Sequence, residues 1–270
     1  MYTRIVRIQL LLLSFTSLSF ASIAQDRIFT YTYQSNVLNK GQRELEVWNT
    51  LRLGKLDFFS RLDHRTEFEI GLGKNLQTSF YLNVTSISQT VTDGPQKSIL
   101  TNHEIGFSNE WKLKLLDPVA NPLGLALYGE YGIMGSEYEL EGKIIVDKKI
   151  NNLTIAANGS FEVEYAPEYQ NSNLSWAKEG KNDFNLSFGF GLGRGFHLTQ
   201  ENNFKNVFFD NKLAHSALYS GMGMAYIHDN FWVNFTCMPQ IKSFKGENSG
   251  NLNLDEFEKV QLRLLFSYAF

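Results

Sequence analysis

From Phe58 to Leu72 the chain alternates between two kinds of side chain without a break. Phe58, Ser60, Leu62, His64, Thr66, Phe68, Ile70 and Leu72 form one set; Phe59, Arg61, Asp63, Arg65, Glu67, Glu69 and Gly71 form the other. A strand points successive side chains to opposite faces, so a period of two makes one mainly apolar face and one charged face. Wound as a helix, the same stretch would scatter its charges around the axis. After the turn signal Gly73-Lys74-Asn75 the alternation resumes, with Leu76, Thr78, Phe80, Leu82 and Val84 against Gln77, Ser79, Tyr81, Asn83 and Thr85. The stretch predicts a β-hairpin. Both limbs exceed the usual soluble strand of about five or six residues and reach the roughly nine to eleven that a membrane-crossing barrel strand needs.

The same pattern recurs along the chain. A first strand is expected at about 42–53, with Leu45, Val47, Leu51 and Leu53 opposite Glu44, Glu46, Trp48 and Thr50. Further strands run from Ile99 to Leu115, Leu123 to Ile133, Tyr138 to Val146, Leu153 to Tyr165 and Phe184 to Leu192. Residues 196–209 carry the poorest alternation; 214–227, Phe231 to Ile241 and Leu262 to Phe270 complete the set. With the opening hairpin that makes twelve, an even number. Short connections fall at one end, at Gly73 to Asn75, Asp117 to Pro122, Lys148 to Asn152, Arg194-Gly195 and His228 to Asn230, while polar loops at 90–98, 167–182 and 245–254 fall at the other. Short turns on one side, longer loops on the other and an even strand count form the bacterial outer-membrane pattern. The fold class expected is all-β, a single up-and-down antiparallel transmembrane β-barrel of about 12 strands over residues 42–270. A smaller barrel of eight or ten strands with two hairpins outside it is the structural alternative.

Composition narrows the compartment. A mean hydropathy of −0.24 excludes a helical membrane protein, and the 22 Phe and 12 Tyr suit long strands with interfacial aromatic belts. Arg4 and Arg7, the apolar run from Ile8 and the small residues ending Ser22-Ile23-Ala24 read as a signal peptide over 1–24. Cleavage near Ala24 removes those two basic residues and no acidic one, taking the formal charge from −3 to −5, which argues against a nucleic-acid partner. Residues 25–41 have aromatics but no sustained period and read as a periplasmic N-terminal lead-in. The lone Cys237 excludes an intramolecular disulfide.

The last strand ends on Phe270, with Tyr268 two before it and alternate apolar residues above. It resembles the C-terminal signature of Gram-negative outer-membrane barrels, which the barrel-assembly machinery reads. That resemblance implies a cell outer membrane localisation, outer-membrane lipid as surroundings and the assembly machinery as partner. The stretch KGQRELEVWNTLRLG with RLDHRTEFEIGLGKNLQTSFYLN, over about residues 40–83, is similar to an uncharacterised family of barrel proteins often labelled transporters. It brings no substrate or catalytic residue with it.

The inward charges are the candidate chemistry. Glu44 and Glu46 are expected to face Arg61 and Arg65 across the first pairing, with Asp63, Glu67, Glu69 and Tyr81 beside them. An acidic wall of Glu130, Glu139, Glu141, Glu162 and Glu164 follows, with Glu104 and Tyr128 near it and Lys112, Lys114 or Lys143 as neutralising neighbours. Such a lining either braces a closed lumen or selects a permeant. A catalytic serine needs an activating histidine, and neither a local Ser–His arrangement nor G-x-S-x-G occurs. No enzyme, cofactor or metal site is therefore expected. Glycines 189, 191, 193 and 195 have no helix after them to hold a phosphate and read as lumen space or curvature. The reading is a narrow passive channel or transporter for a small solute with an acidic, charge-laddered lumen. A closed structural or surface-interaction barrel is the alternative, and a lipid-modifying enzyme the remote one.

Overall fold

The computed structural model describes residues 27–170, 173–246 and 251–270, so the expected leader lies outside them. The strands are β1 Arg43–Leu53, β2 Phe59–Gly73, β3 Leu76–Asp93, β4 Gln96–Leu116, β5 Gly124–Met134 and β6 Glu137–Ile150. They continue as β7 Leu153–Gln170, β8 Asn173–Gly193, β9 Phe196–Phe209, β10 Lys212–His228, β11 Phe231–Lys245 and β12 Val260–Ala269. Each pairs antiparallel with its sequence neighbours, and β1 pairs with β12 to close the barrel. The expected twelve-stranded barrel forms, not the smaller one with hairpins outside it, and closure removes every edge.

The faces follow the pleat. Phe80, Leu82, Phe107, Ile144, Phe188 and Met224 stand outward and exposed, whereas Ser79, Tyr81, Ser187 and Ala225 between them are buried inside. At the short-turn end the outward rings of Phe196, Tyr226, Phe231 and Phe266 follow one another at centroid spacings of 4.5, 5.9 and 6.4 Å. An apolar outer band rimmed by aromatics matches a lipid-facing barrel wall. In water, so large an exposed apolar surface would be an aggregation site.

The two ends differ in another way than loop length. Residues 90–98 and 167–182, expected as polar loops, are mostly strand: β3 and β4 pair out to Asp93↔Gln96, and β7 and β8 out to Gln170↔Asn173. The β4–β5 pairing already ends at Gly106↔Met134 and the β8–β9 pairing at Glu179↔Phe209, so both hairpins rise past their neighbours. The reason is local. Thr90, Val91 and Thr92 favour strands, and Asp93-Gly94, with Gly94 at φ 57°, makes a tight hairpin turn.

Residues from Arg27 onward, read from sequence as a lead-in, lie inside the barrel. Ile28, Phe29, Thr30, Tyr31, Thr32, Tyr33, Ser35 and Leu38 are all buried. The segment enters from the short-turn end, where the Gly41 N–H donates to the Gly71 carbonyl at 2.8 Å. At the far end the β11–β12 connection also turns inward and buries Asn253, Phe257 and Glu258.

Candidate functional site

Inside a barrel, a backbone segment without strand partners must satisfy its N–H and C=O groups on side chains. Residues 27–38 do so on inward-facing residues of the wall. The Glu201 carboxylate accepts the backbone N–H groups of Thr30 (2.8 Å), Tyr31 (2.8 Å) and Thr32 (3.1 Å), and the hydroxyls of Thr30 (3.0 Å) and Thr236 (2.9 Å). Asn158 clamps Tyr33 twice, accepting its N–H at 2.6 Å and donating to its carbonyl at 2.9 Å. Asp147 and Gln77 accept the N–H groups of Ser35 (3.2 Å) and Leu38 (2.9 Å). Opposite Ile28 and Phe29 the wall has Gly189, where a Cβ would come within 2.4 Å of Ile28. The lumen glycine gives room, and what it gives room to is the plug.

Arg27 anchors the segment's start. Its guanidinium lies 4.2 Å from the Trp48 ring centroid and 4.5 Å from that of Tyr33, with Glu46 at 3.6 Å. Trp48 Nε1 donates to Glu46 at 2.7 Å and Trp232 Nε1 to Glu44 at 2.8 Å, while Ser267 also donates to Glu44. Tyr81 donates to Glu110 and Tyr128 to Glu130, which Arg65 reaches at 3.3 Å. Tyr33, Trp48, Ala126, Tyr128, Trp232 and Leu265 pack into one buried cluster. At the level of β1 and β2 near the short turns, the lumen is filled.

Above this packed base lies a cavity of about 580 Å³, floored by Tyr31, Tyr33 and Tyr128 and roofed in part by Phe257. One wall carries Arg52, Arg61, Asp63 and Arg65; Arg52 and Arg61 each bind Asp63 at 2.6 Å. The facing wall carries Glu139, Glu141, Glu162 and Glu164, with Glu104 nearer the rim. Lys181 sits among Glu162 (3.0 Å), Glu164 (2.5 Å) and Glu179 (3.5 Å), and Lys143 binds Glu141 at 3.1 Å. Acidic lining residues outnumber basic ones.

All the residues singled out from sequence therefore project inward, but they divide between two zones. Arg61, Asp63, Arg65, Glu104, Tyr128, Glu139, Glu141, Glu162 and Glu164 border the cavity. Glu44, Glu46, Glu67, Glu69, Tyr81 and Glu130 are buried in the base. The expected pairing of Glu44 and Glu46 with Arg61 and Arg65 does not occur. Glu44 lies opposite Glu69 and Glu46 opposite Glu67, while Arg61 meets Arg52 and Arg65 meets Trp48. The loop between Leu53 and Phe59 fixes this register and puts carboxylate against carboxylate. Of the neutralising lysines, Lys143 serves the acidic wall, Lys112 is buried in the base, and Lys114 binds Asp117 in the turn after β4 at 3.0 Å. Sequence reading missed Arg27, Tyr31 and Glu201. The available signals were alternate aromatics at Phe29, Tyr31 and Tyr33, and a charged inward position on the strand whose outward pattern was weakest.

A closed twelve-stranded up-and-down barrel with an apolar outer face and a charged interior is an outer-membrane-type β-barrel. Within that class the chain belongs to the family described as "Family of unknown function (DUF6662)", which matches residues 21–270. No curated protein matches the sequence. Among solved structures, the β domain of the Bordetella autotransporter BrkA is similar at 8% identity and TM-score 0.51, covering 85% of this chain and 99% of that one. The NanC porin is similar at 11% identity and TM-score 0.48 (83% and 98% covered), and the KdgM porin at 10% and 0.46 (84% and 99%). These likenesses concern the fold.

Proposed function

We propose that this barrel sits in the outer membrane of a Gram-negative bacterium, inserted through its C-terminal strand ending at Phe270. There it passes small solutes through an acidic lumen that its own N-terminal segment gates. The short-turn end faces the periplasm after cleavage near Ala24. Solute enters the cavity between the projecting hairpins and meets Tyr31 and Tyr33. The observation that carries the gate is the mode of attachment. Residues 30–32 hang on side chains alone, their three N–H groups on Glu201, with Ser187 on the Thr32 hydroxyl and Arg263 on the Thr30 carbonyl, and on no strand ladder, so they can leave without breaking the barrel wall. The sealed base alone would suit a closed structural barrel; a charged cavity reaching the plug favours passage.

Purified protein in a planar bilayer tests this. The full chain is expected to conduct weakly and a chain lacking residues 25–38 strongly, with heat-modifiable gel mobility reporting that both are folded. A folded, plug-free chain that does not conduct would establish the closed barrel instead.

A further inference from the structure

The packed base contains carboxylates that the plug does not use. Glu67 on β2 is 1% exposed, and neither of its carboxylate oxygens accepts a hydrogen bond from an N–H or hydroxyl group. One oxygen each of Glu69 and Glu110 is likewise buried and unpartnered, and so is the hydroxyl of Ser79. These groups share one patch of wall, because Ser79 on β3 stands directly between Glu69 on β2 and Glu110 on β4 in the ladder. Ligand oxygens of Glu67, Glu69 and Glu110 all lie within 4.8 Å of one another, and Glu69 also belongs to an equally compact group with Glu44 and Glu46.

Burying an ionised carboxylate without a partner is costly, and burying three together is more so. Arg27 is engaged with Glu46 at 3.6 Å, and Lys112 is the other buried cation on this stretch of wall. Two positive charges do not balance Glu44, Glu46, Glu67, Glu69 and Glu110.

We propose that Glu67, Glu69 and Glu110, with the Ser79 hydroxyl, form a binding site for a hard divalent cation of the calcium class. The donor set is oxygen only, with no imidazole or thiolate, which selects against zinc and copper. Oxygens up to 4.8 Å apart match two ligands on opposite sides of an ion whose bonds are roughly 2.3–2.6 Å long. Magnesium, with shorter bonds and a strict octahedron, fits a cross-strand array of this spread less well. The cation would tie β2, β3 and β4 together beneath the plug, and this role depends on neither gating nor conductance.

The test uses the full mature chain refolded with calcium, passed into metal-free buffer, and analysed for metal content and thermal unfolding with and without EDTA. A single retained calcium per barrel and a melting temperature lowered by EDTA are expected. Glu67→Gln should weaken retention by about tenfold or more. Ser79→Ala removes only a neutral ligand and keeps the question open to measurement should Glu67→Gln fail to fold; it too should weaken retention. Asp93→Asn, at the exposed tip of the β3–β4 hairpin, should leave it unchanged. A folded native chain that retains no calcium would overturn the site in favour of shared protons. Retention that survives Glu67→Gln, or disappears with Asp93→Asn, would overturn it as well.

Discussion

Tyr31 and Glu201 are joined by a 2.8 Å hydrogen bond from the Tyr31 backbone N–H to a carboxylate 170 residues later in the chain. The same carboxylate takes the N–H groups of Thr30 and Thr32, so one side chain holds three successive residues of the plug. Hydrogen bonds to a charged group contribute about 1.5–3 kcal/mol each, and a buried N–H left without its acceptor loses about 1–3 kcal/mol. Glu201→Ala should therefore free the plug while leaving the barrel ladder intact. In a Cys237→Ser background, a cysteine at Thr32 should react slowly with a water-soluble thiol reagent, and much faster once Glu201→Ala is added. Equal rates in the two proteins would mean that Asn158 and the aromatic base hold the segment without Glu201.

Gly189 predicts the steric counterpart. A Cβ there would lie 2.4 Å from Ile28 Cδ1 and 3.2 Å from the Phe29 ring, so a branched side chain must push the plug aside. Gly189→Val should speed labelling at Thr32 and raise single-channel conductance. β8 itself should stay paired, because valine favours strands. Unchanged labelling would show that Ile28 simply rotates away.

The outward and inward faces were legible from sequence because the side-chain period of a strand is two whatever its partners. The register was not. Whether Glu46 meets Arg65 or Glu67 depends on how many residues the chain spends between Leu53 and Phe59, and no side-chain pattern encodes that geometry. The projecting hairpins were hidden for a different reason: the polar residues of 167–182 look the same in a solvated strand as in a loop. The plug was least legible of all. Its backbone partners Glu201, Asn158, Asp147 and Gln77 are scattered over the chain, and only its alternate aromatics hinted at burial.

Face and crowding together predict how charge insertions sort. Leu82 stands outward, and an arginine there costs about 2–4 kcal/mol near the bilayer midplane. The alternation alone puts Ser79 on the inner face, where an arginine is tolerated if the lumen has room; at this level it has none. Ser79 is fully buried between Glu69 and Glu110, with no lumen space for a guanidinium side chain at that level. Overpacking of this kind costs roughly 1–3 kcal/mol, in part offset here by the neighbouring carboxylates. Both variants should lower the urea midpoint of the barrel in lipid, and Ser187→Arg beside the plug should do the same. A Ser79→Arg protein as stable as the native one would mean that the base is looser than its packing shows.

Charge selectivity follows from the cavity wall. With the plug removed, a solute crosses between the Arg52–Asp63–Arg61 cluster and the glutamates of β6 and β7. Arg52 and Arg61 share Asp63, Arg52 also binds Glu258 and Arg65 binds Glu130, so that wall is largely compensated, whereas Glu162 and Glu164 share the one Lys181 ammonium. Acidic residues remain in excess along the whole lining, and a narrow charged path favours counter-ions. The chain lacking residues 25–38 should therefore prefer potassium over chloride in a salt gradient. Lys181→Gln should strengthen that preference by uncovering Glu162, Glu164 and Glu179, and Glu139→Gln combined with Glu164→Gln should weaken it. Raising the salt concentration should compress all these differences, since screening shortens to about 3 Å at 1 M. The sign of the reversal potential decides the matter: chloride preference would place control with Arg61 and Arg65, and insensitivity to Lys181→Gln would remove the β6–β7 wall from the conducting path.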